Sequence, residues 1–158
     1  MSAANDAEMW VTARTGEGDG FRTEITVRQF TFVADEPIDA GGMDRGATPY
    51  EYLLGALGAC TAMTLRMYAK RKSWPLEDVV VRLRNAPSHA VDCANCESAP
   101  VGIRHIERTI ELRGSLSEEQ RAKLLQIADR CPVKQTLERG LIIDPATGAI
   151  PIGQMRAE

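Results

Sequence analysis

The sequence is poor in the features that mark several large functional classes. It has no excess of positive charge: 19 lysines and arginines stand against 22 acidic residues, a net charge of −3 with a pI of about 5.5. A basic footprint for nucleic acid or an anionic membrane is therefore missing. Long hydrophobic runs are absent too. The longest, Leu53 to Leu65, is interrupted by threonine and falls short of the roughly 20 residues that span a bilayer. The first residues, Met1-Ser-Ala-Ala-Asn-Asp-Ala-Glu8, are acidic and carry no apolar core of a signal peptide. No internal repeat, low-complexity tract or linker divides the chain. These absences predict one domain over residues 1–158, cytoplasmic, with neither nucleic acid nor membrane as a partner. At 158 residues and 44% hydrophobic composition the chain can bury a core of its own.

Cysteine is present but sparse, four in all. In a reducing compartment that number argues for catalysis, redox sensing or metal binding, or for plain burial, and against a disulfide framework.

Local patterns predict alternating strands and helices. Residues 9–14 and 21–33 read as two strands joined by the turn Thr15-Gly-Glu-Gly-Asp-Gly20, with Phe21, Thr23, Ile25 and Val27 alternating against polar neighbours. A loop rich in turn formers covers 35–46. Thr48-Pro49-Tyr50-Glu51 is a capping box with proline at the first helical position, opening a helix to about Arg71. Its first two-thirds are apolar nearly all round, which predicts a buried central helix. Gly55 and Gly58 each cost that helix ~1 kcal/mol relative to alanine, so close packing must offset them. Val79–Arg84 and His105–Arg113 read as strands, separated by a polar loop over 85–102. On the second of these, Arg108 falls on the apolar side with Ile106, Ile110 and Leu112. Ser117-Glu-Glu-Gln120 is a second capping box, and Pro132 is expected to end its helix. Residues 136–152 read as turns with short extended pieces.

Two cysteines stand out. Cys60 shares the face of Leu53 and Leu57, and Cys131 that of Leu124 and Ile127, so each is expected to project from the apolar face of a helix. Two buried structural thiols would fit this pattern as well as a redox pair. Thiol chemistry needs the thiolate, and a free cysteine has a pKa near ~8.5. Cys60 lies about three turns inside its helix, too deep for the dipole to hold an anion, and an apolar surrounding would raise its pKa. A cation or hydrogen-bond donor from another segment is required; an arginine ordered by a carboxylate would serve, with Arg108, Arg14 and Arg22 as candidates. Glu51 closes the capping box or positions that arginine. A separate cluster, His89-Ala-Val-Asp92-Cys93-Ala-Asn-Cys96, allows three readings: a zinc site completed by Asp92 or His105, an exchangeable dithiol, or two free thiols.

The stretches Gly41-Gly-Met-Asp-Arg-Gly-Ala-Thr-Pro-Tyr-Glu-Tyr-Leu-Leu-Gly-Ala-Leu-Gly-Ala-Cys60-Thr-Ala-Met and Leu116-Ser-Glu-Glu-Gln…Ile127-Ala-Asp-Arg-Cys131-Pro-Val resemble the OsmC/Ohr family, the osmotically inducible protein C and organic hydroperoxide resistance proteins. The resemblance runs from about residue 20 to 143. It implies an α+β OsmC-like fold, with antiparallel sheets wrapped around central helices in an intertwined homodimer. It further implies Cys60 as the peroxidatic and Cys131 as the resolving cysteine of a peroxidase acting on organic hydroperoxides. An external dithiol, lipoyl or another, would recycle it, and no metal, haem or flavin is needed. Two positions depart from the hydroperoxide resistance pattern. There the carboxylate directly follows the proline, where this chain has Tyr50 and then Glu51; the arginine of the first hairpin turn is replaced by Gly18. Both place the chain in the broader OsmC-like branch. A non-enzymatic redox sensor or small-molecule binding module is the alternative from another class.

Overall fold

The computed structural model describes residues 10–18, 20–85 and 105–145. Its architecture is α+β, with five strands and three α-helices among those residues. Strands β1 (Val11–Thr15), β2 (Thr23–Val27) and β3 (Phe30–Ala34) form an antiparallel sheet in the order β1-β2-β3. The segment expected as one strand over 21–33 is thus a hairpin. Val27 pairs with Phe30, leaving Arg28 and Gln29 as the turn. No glycine or asparagine marks it; Arg28 itself takes a left-handed φ of 53°, and its guanidinium lies 5.2 Å over the Phe30 ring.

Helix α1 (Pro49–Arg71) begins as its capping box predicts. Thr48 Oγ1 accepts from the Glu51 amide at 3.3 Å, and Glu51 Oε2 accepts from the Thr48 amide at 2.7 Å. Lys70 and Arg71 in the last turn complement the helix dipole. The Tyr52 hydroxyl donates to the Val33 carbonyl at 2.7 Å and ties α1 to β3. Burial is confined to one stripe: Leu57, Thr61, Leu65 and Ala69 are buried, while Met63 and Met67 are 64% and 71% exposed. A helix buried all round is therefore not what one chain provides. The glycines also separate: a Cβ on Gly58 would come within 2.9 Å of Leu83 Cδ1, whereas one on Gly55 would meet nothing within 4 Å.

Strands β4 (Asp78–Asn85) and β5 (Ile106–Arg113) pair antiparallel, with Val79 opposite Leu112, Val81 opposite Ile110 and Leu83 opposite Arg108. The inner face of the pair packs on α1. Its outer face carries ion pairs between Arg82 and Glu111 and between Arg84 and Glu107, worth little at such exposed positions. Helix α2 (Glu118–Ala128) starts at the expected capping box of Ser117 and Gln120. It buries Leu124 and Ile127 against Leu65, Ala69, Leu76 and Leu116 to form the core. Arg121 anchors it to the end of β5 by donating to the Leu112 and Gly114 carbonyls at 2.7 and 3.0 Å. Gly114 has φ +129°, and a Cβ there would lie 2.0 Å from the Pro75 carbonyl oxygen.

Pro132 plays the opposite part to the one the sequence suggests. Helix α2 has already ended at Ala128, and Pro132 opens a third helix, α3 (Pro132–Arg139), with Cys131 as its N-cap. Proline suits the first helical position because its missing N–H has no partner there to lose. Residues 136–139 are accordingly helical, not extended.

Leu124 is fully buried in the core cluster. Leu124→Ala is expected to cost about 2–5 kcal/mol. In urea titrations at fixed protein concentration this should appear as a lower midpoint with an unchanged slope.

Candidate active site: a thiol pair between α1 and α3

The fold brings Cys60 and Cys131 together. Cys60 projects from the middle of α1, Cys131 sits in the bend between α2 and α3, and the two thiols are near enough for each to perturb the other's ionisation. Both are free thiols, Cys60 partly accessible and Cys131 fully buried. Cys131 does not ride on the face of α2 as expected; it caps the next helix.

The two sulfurs have unlike surroundings. For Cys60, burial and the neighbouring Cys131 thiol raise the pKa above its ordinary value; the Val133 amide and Thr64 hydroxyl only partly oppose them. Thr64 donates to the Cys60 carbonyl at 2.8 Å. For Cys131, burial also works upward. It is outweighed by the Cys60 thiol, the Lys134 amide, the Thr61 hydroxyl and the Val133 amide, which together bring the pKa below its ordinary value. Neither amide closes a full cap hydrogen bond onto the sulfur. They are the first free amides of α3, the end of a helix that favours an anion.

Of the three arginines considered, Arg108 is tied into this site. Its Nη1 donates to Thr61 Oγ1 at 3.4 Å and to the Ala128 carbonyl at 3.3 Å, and its Nη2 donates to Asp129 Oδ1 at 2.8 Å. Its side chain is 17% exposed. Arg22 pairs with Glu24 at 3.9 Å, and Arg14 stands opposite Glu24 on β1. Gly18 lies in the first turn with φ 83°. Glu51 closes the capping box, whose amide hydrogen bond from Thr48 holds its carboxyl below the ordinary range.

Thr61, Asp129 and Lys134 escaped the sequence reading. Thr61 is fully buried and donates to the Leu57 carbonyl at 2.8 Å. A threonine beside Cys60 in an apolar helix was the available signal. Lys134 is held by Glu138 at 2.5 Å and Asp129 at 3.7 Å.

A cavity of about 440 Å³ is walled by Leu53, Leu57, Ile106 and Leu137 and carries Arg108, Lys134 and Glu138, so it meets the site at Arg108 and Lys134. His105 also lines it. Cys93, Cys96, His89 and Asp92 lie outside the described residues, and among the described residues no group of three or more side chains is placed to hold a metal. Nor is any described helix long and apolar enough to cross a membrane.

Residues 41–145 match the family model for OsmC-like protein. The chain belongs to the OsmC family. Solved structures agree on the fold. An OsmC-like protein from Mycoplasma pneumoniae matches with a TM-score of 0.67 at 23% identity, over 84% of this chain and 89% of that one. A protein from Psychrobacter arcticus described as a putative osmotic stress induced and detoxification response protein gives 0.64 at 18% identity, over 85% and 90%. The organic hydroperoxide resistance protein OhrB of Bacillus subtilis gives 0.52 at 20% identity, over 80% and 87%. No curated protein sequence matches the chain.

Proposed function

We propose that this OsmC-family chain is a thiol-dependent peroxidase that reduces organic hydroperoxides through Cys60 and Cys131. The observation that carries the reading is the proximity of the two thiols, with a cavity walled by leucine and isoleucine opening at the neighbouring Arg108 and Lys134. Cys60 is the sulfur a solute can reach, so its thiolate attacks one peroxide oxygen. The O–O bond breaks, the alkoxide leaves and takes up a proton, and Cys60 becomes a sulfenic acid. Cys131 attacks that sulfur, forming the disulfide and releasing water. An external dithiol, lipoyl or another, then reduces the disulfide by exchange. Sulfur does the chemistry without a metal, haem or flavin. The leucine and isoleucine walls favour a hydroperoxide with a hydrocarbon body. Glu51 contributes by fixing the first turn of α1, and with it the placement of Cys60 further along the helix.

The working unit under this proposal is a homodimer. One chain leaves the apolar residues Met63 and Met67 of α1, and Trp10 and Val11 at the edge of the first sheet, open to solvent. A second copy would cover such surface.

Peroxide consumption under excess dithiol tests the proposal. Many equivalents of an alkyl hydroperoxide should be consumed per subunit, and peptide mass mapping after one equivalent should find Cys60 linked to Cys131. Consumption that halts after about one equivalent would make the chain a sensor instead of a catalyst. A disulfide confined to Cys93 and Cys96 would remove the pair from the reaction.

A further inference from the structure

We propose that Glu138 sets which hydroperoxides the cavity accepts: it turns away those that carry a carboxylate and leaves the site to uncharged ones. This assignment rests on the peroxidase reading above and narrows its substrate class.

Charge around the cavity is already balanced by the chain itself. The walls Leu53, Leu57, Ile106 and Leu137 are apolar, so they suit a hydrocarbon body whatever its end group. Two cations stand on the lining, Arg108 from β5 and Lys134 from α3. Left alone they would draw a carboxylate, the guanidinium fork above all. Both are engaged. Arg108 gives its Nη1 to Thr61 Oγ1 and the Ala128 carbonyl, and its Nη2 to Asp129 Oδ1. Lys134 Nζ stands 2.5 Å from Glu138 Oε1 and 3.7 Å from Asp129 Oδ1. Two carboxylates therefore answer two cations, and a third arriving with a substrate would bring an uncompensated negative charge. His105 is the remaining ionisable group among the described lining residues.

Glu138 is the carboxylate that decides the selection. Asp129 is shared between Arg108 and Lys134 and lies off the lining, whereas Glu138 is part of it. Lys134 and Glu138 are four residues apart on α3, so the two face each other along the helix. The partner of Lys134 is thus tethered at high local concentration, and a free carboxylate must displace it. Exposure points the same way. The side chains of Arg108 and Lys134 are 17% and 26% exposed, those of Asp129 and Glu138 61% and 60%. The cations are covered and the carboxylates open to solvent, so an approaching anion meets like charge first. An uncharged hydroperoxide meets no such barrier and still buries its apolar surface against leucine and isoleucine. An ion pair this open adds little to stability; its effect falls on charged solutes.

The test compares a medium-chain hydroperoxy fatty acid with its methyl ester, using the full-length chain and an excess of an uncharged dithiol. The two substrates share a hydrocarbon body and a hydroperoxide group and differ in charge, so the ester corrects for any general effect of a substitution. The pH is held above the range in which imidazole takes up a proton. The unaltered chain should favour the ester in kcat/KM, with the difference lying in KM. In Glu138→Gln the acid should gain about 3- to 10-fold relative to the ester, again in KM, because Lys134 is released and the repelling charge is gone. Glu138→Asp, which keeps the charge, should keep the preference for the ester. Added salt should narrow the gap in the unaltered chain. An unaltered chain that takes the acid as readily as the ester would overturn the proposal, as would a Glu138→Gln chain with an unchanged ratio. Absence of turnover with both substrates would overturn the peroxidase reading instead. Calorimetric titration of the reduced chain with decanoate and with methyl decanoate reads the charge selection without turnover, and decanoate binding as tightly as the ester would overturn the role of Glu138 there too.

Discussion

Cys60→Ser is expected to abolish peroxide turnover, with a loss on the order of 10⁴-fold or more, as for other enzymes stripped of their nucleophile. A serine hydroxyl is a far weaker acid than a thiol and attacks peroxide oxygen poorly. It also has no counterpart to the sulfenic acid, so Cys131 would remain reduced with nothing to condense on. The substitution changes one atom at a partly accessible helix position whose backbone bonds are those of α1, so the folded chain should keep its circular dichroism and thermal midpoint. Turnover measured with excess dithiol, beside mass mapping of the remaining cysteines, separates the outcomes. Loss of turnover with Cys131 still reduced supports the pair. Retained turnover would shift the chemistry to Cys93 and Cys96, outside the pair altogether.

The parts of this site that sequence made legible are those set by local rules. Thr48, Pro49 and Glu51 announce α1, and Ser117 and Gln120 announce α2, because capping is an exchange between residues three apart. Arg108 was noticeable as a cation on the apolar side of a strand, and its partners explain the anomaly: it reaches through the core edge to Thr61, Ala128 and Asp129. What failed was context. Pro132 ends helices and begins them, and only the position of Ala128 as the last residue of α2 decides between the two. Reading it as a stop hid α3, and with it the place of Cys131 at that helix's N-cap. The Arg28–Gln29 turn was missed for a related reason: its left-handed residue is an arginine, held by pairing on both sides of the hairpin and not by its own preference. Thr61 could not be assigned at all, since its role depends on a strand and a helix bend distant in sequence.

Arg108→Met is expected to slow single-turnover oxidation of Cys60 by about 10- to 100-fold, in the range of losing one preorganised donor, while altering stability little. The stability argument is a balance of two opposed effects. Arg108 is a mostly covered cation, and covering a charge costs free energy that its partners must recover. Its carboxylate partner Asp129 is 61% exposed and would be solvated once the guanidinium is gone. Methionine replaces the aliphatic stem beside Leu83, leaving the Ala128 carbonyl and the Thr61 oxygen as the groups that lose a donor. The rate argument has no such offset. Without Arg108 the Thr61 oxygen and the Ala128 carbonyl beside the thiols lose their cationic donor, and the alkoxide leaving in the cavity loses a nearby positive charge. Because the missing interaction favours a thiolate, the defect should be largest near neutral pH and shrink as rising pH ionises the thiols unaided. Lysine should rescue poorly, since one ammonium cannot reproduce a planar fork that spans Thr61, Ala128 and Asp129. A loss of rate equal at all pH values, accompanied by a fallen thermal midpoint, would mark Arg108 as a strut of the fold with no part in poising the thiols.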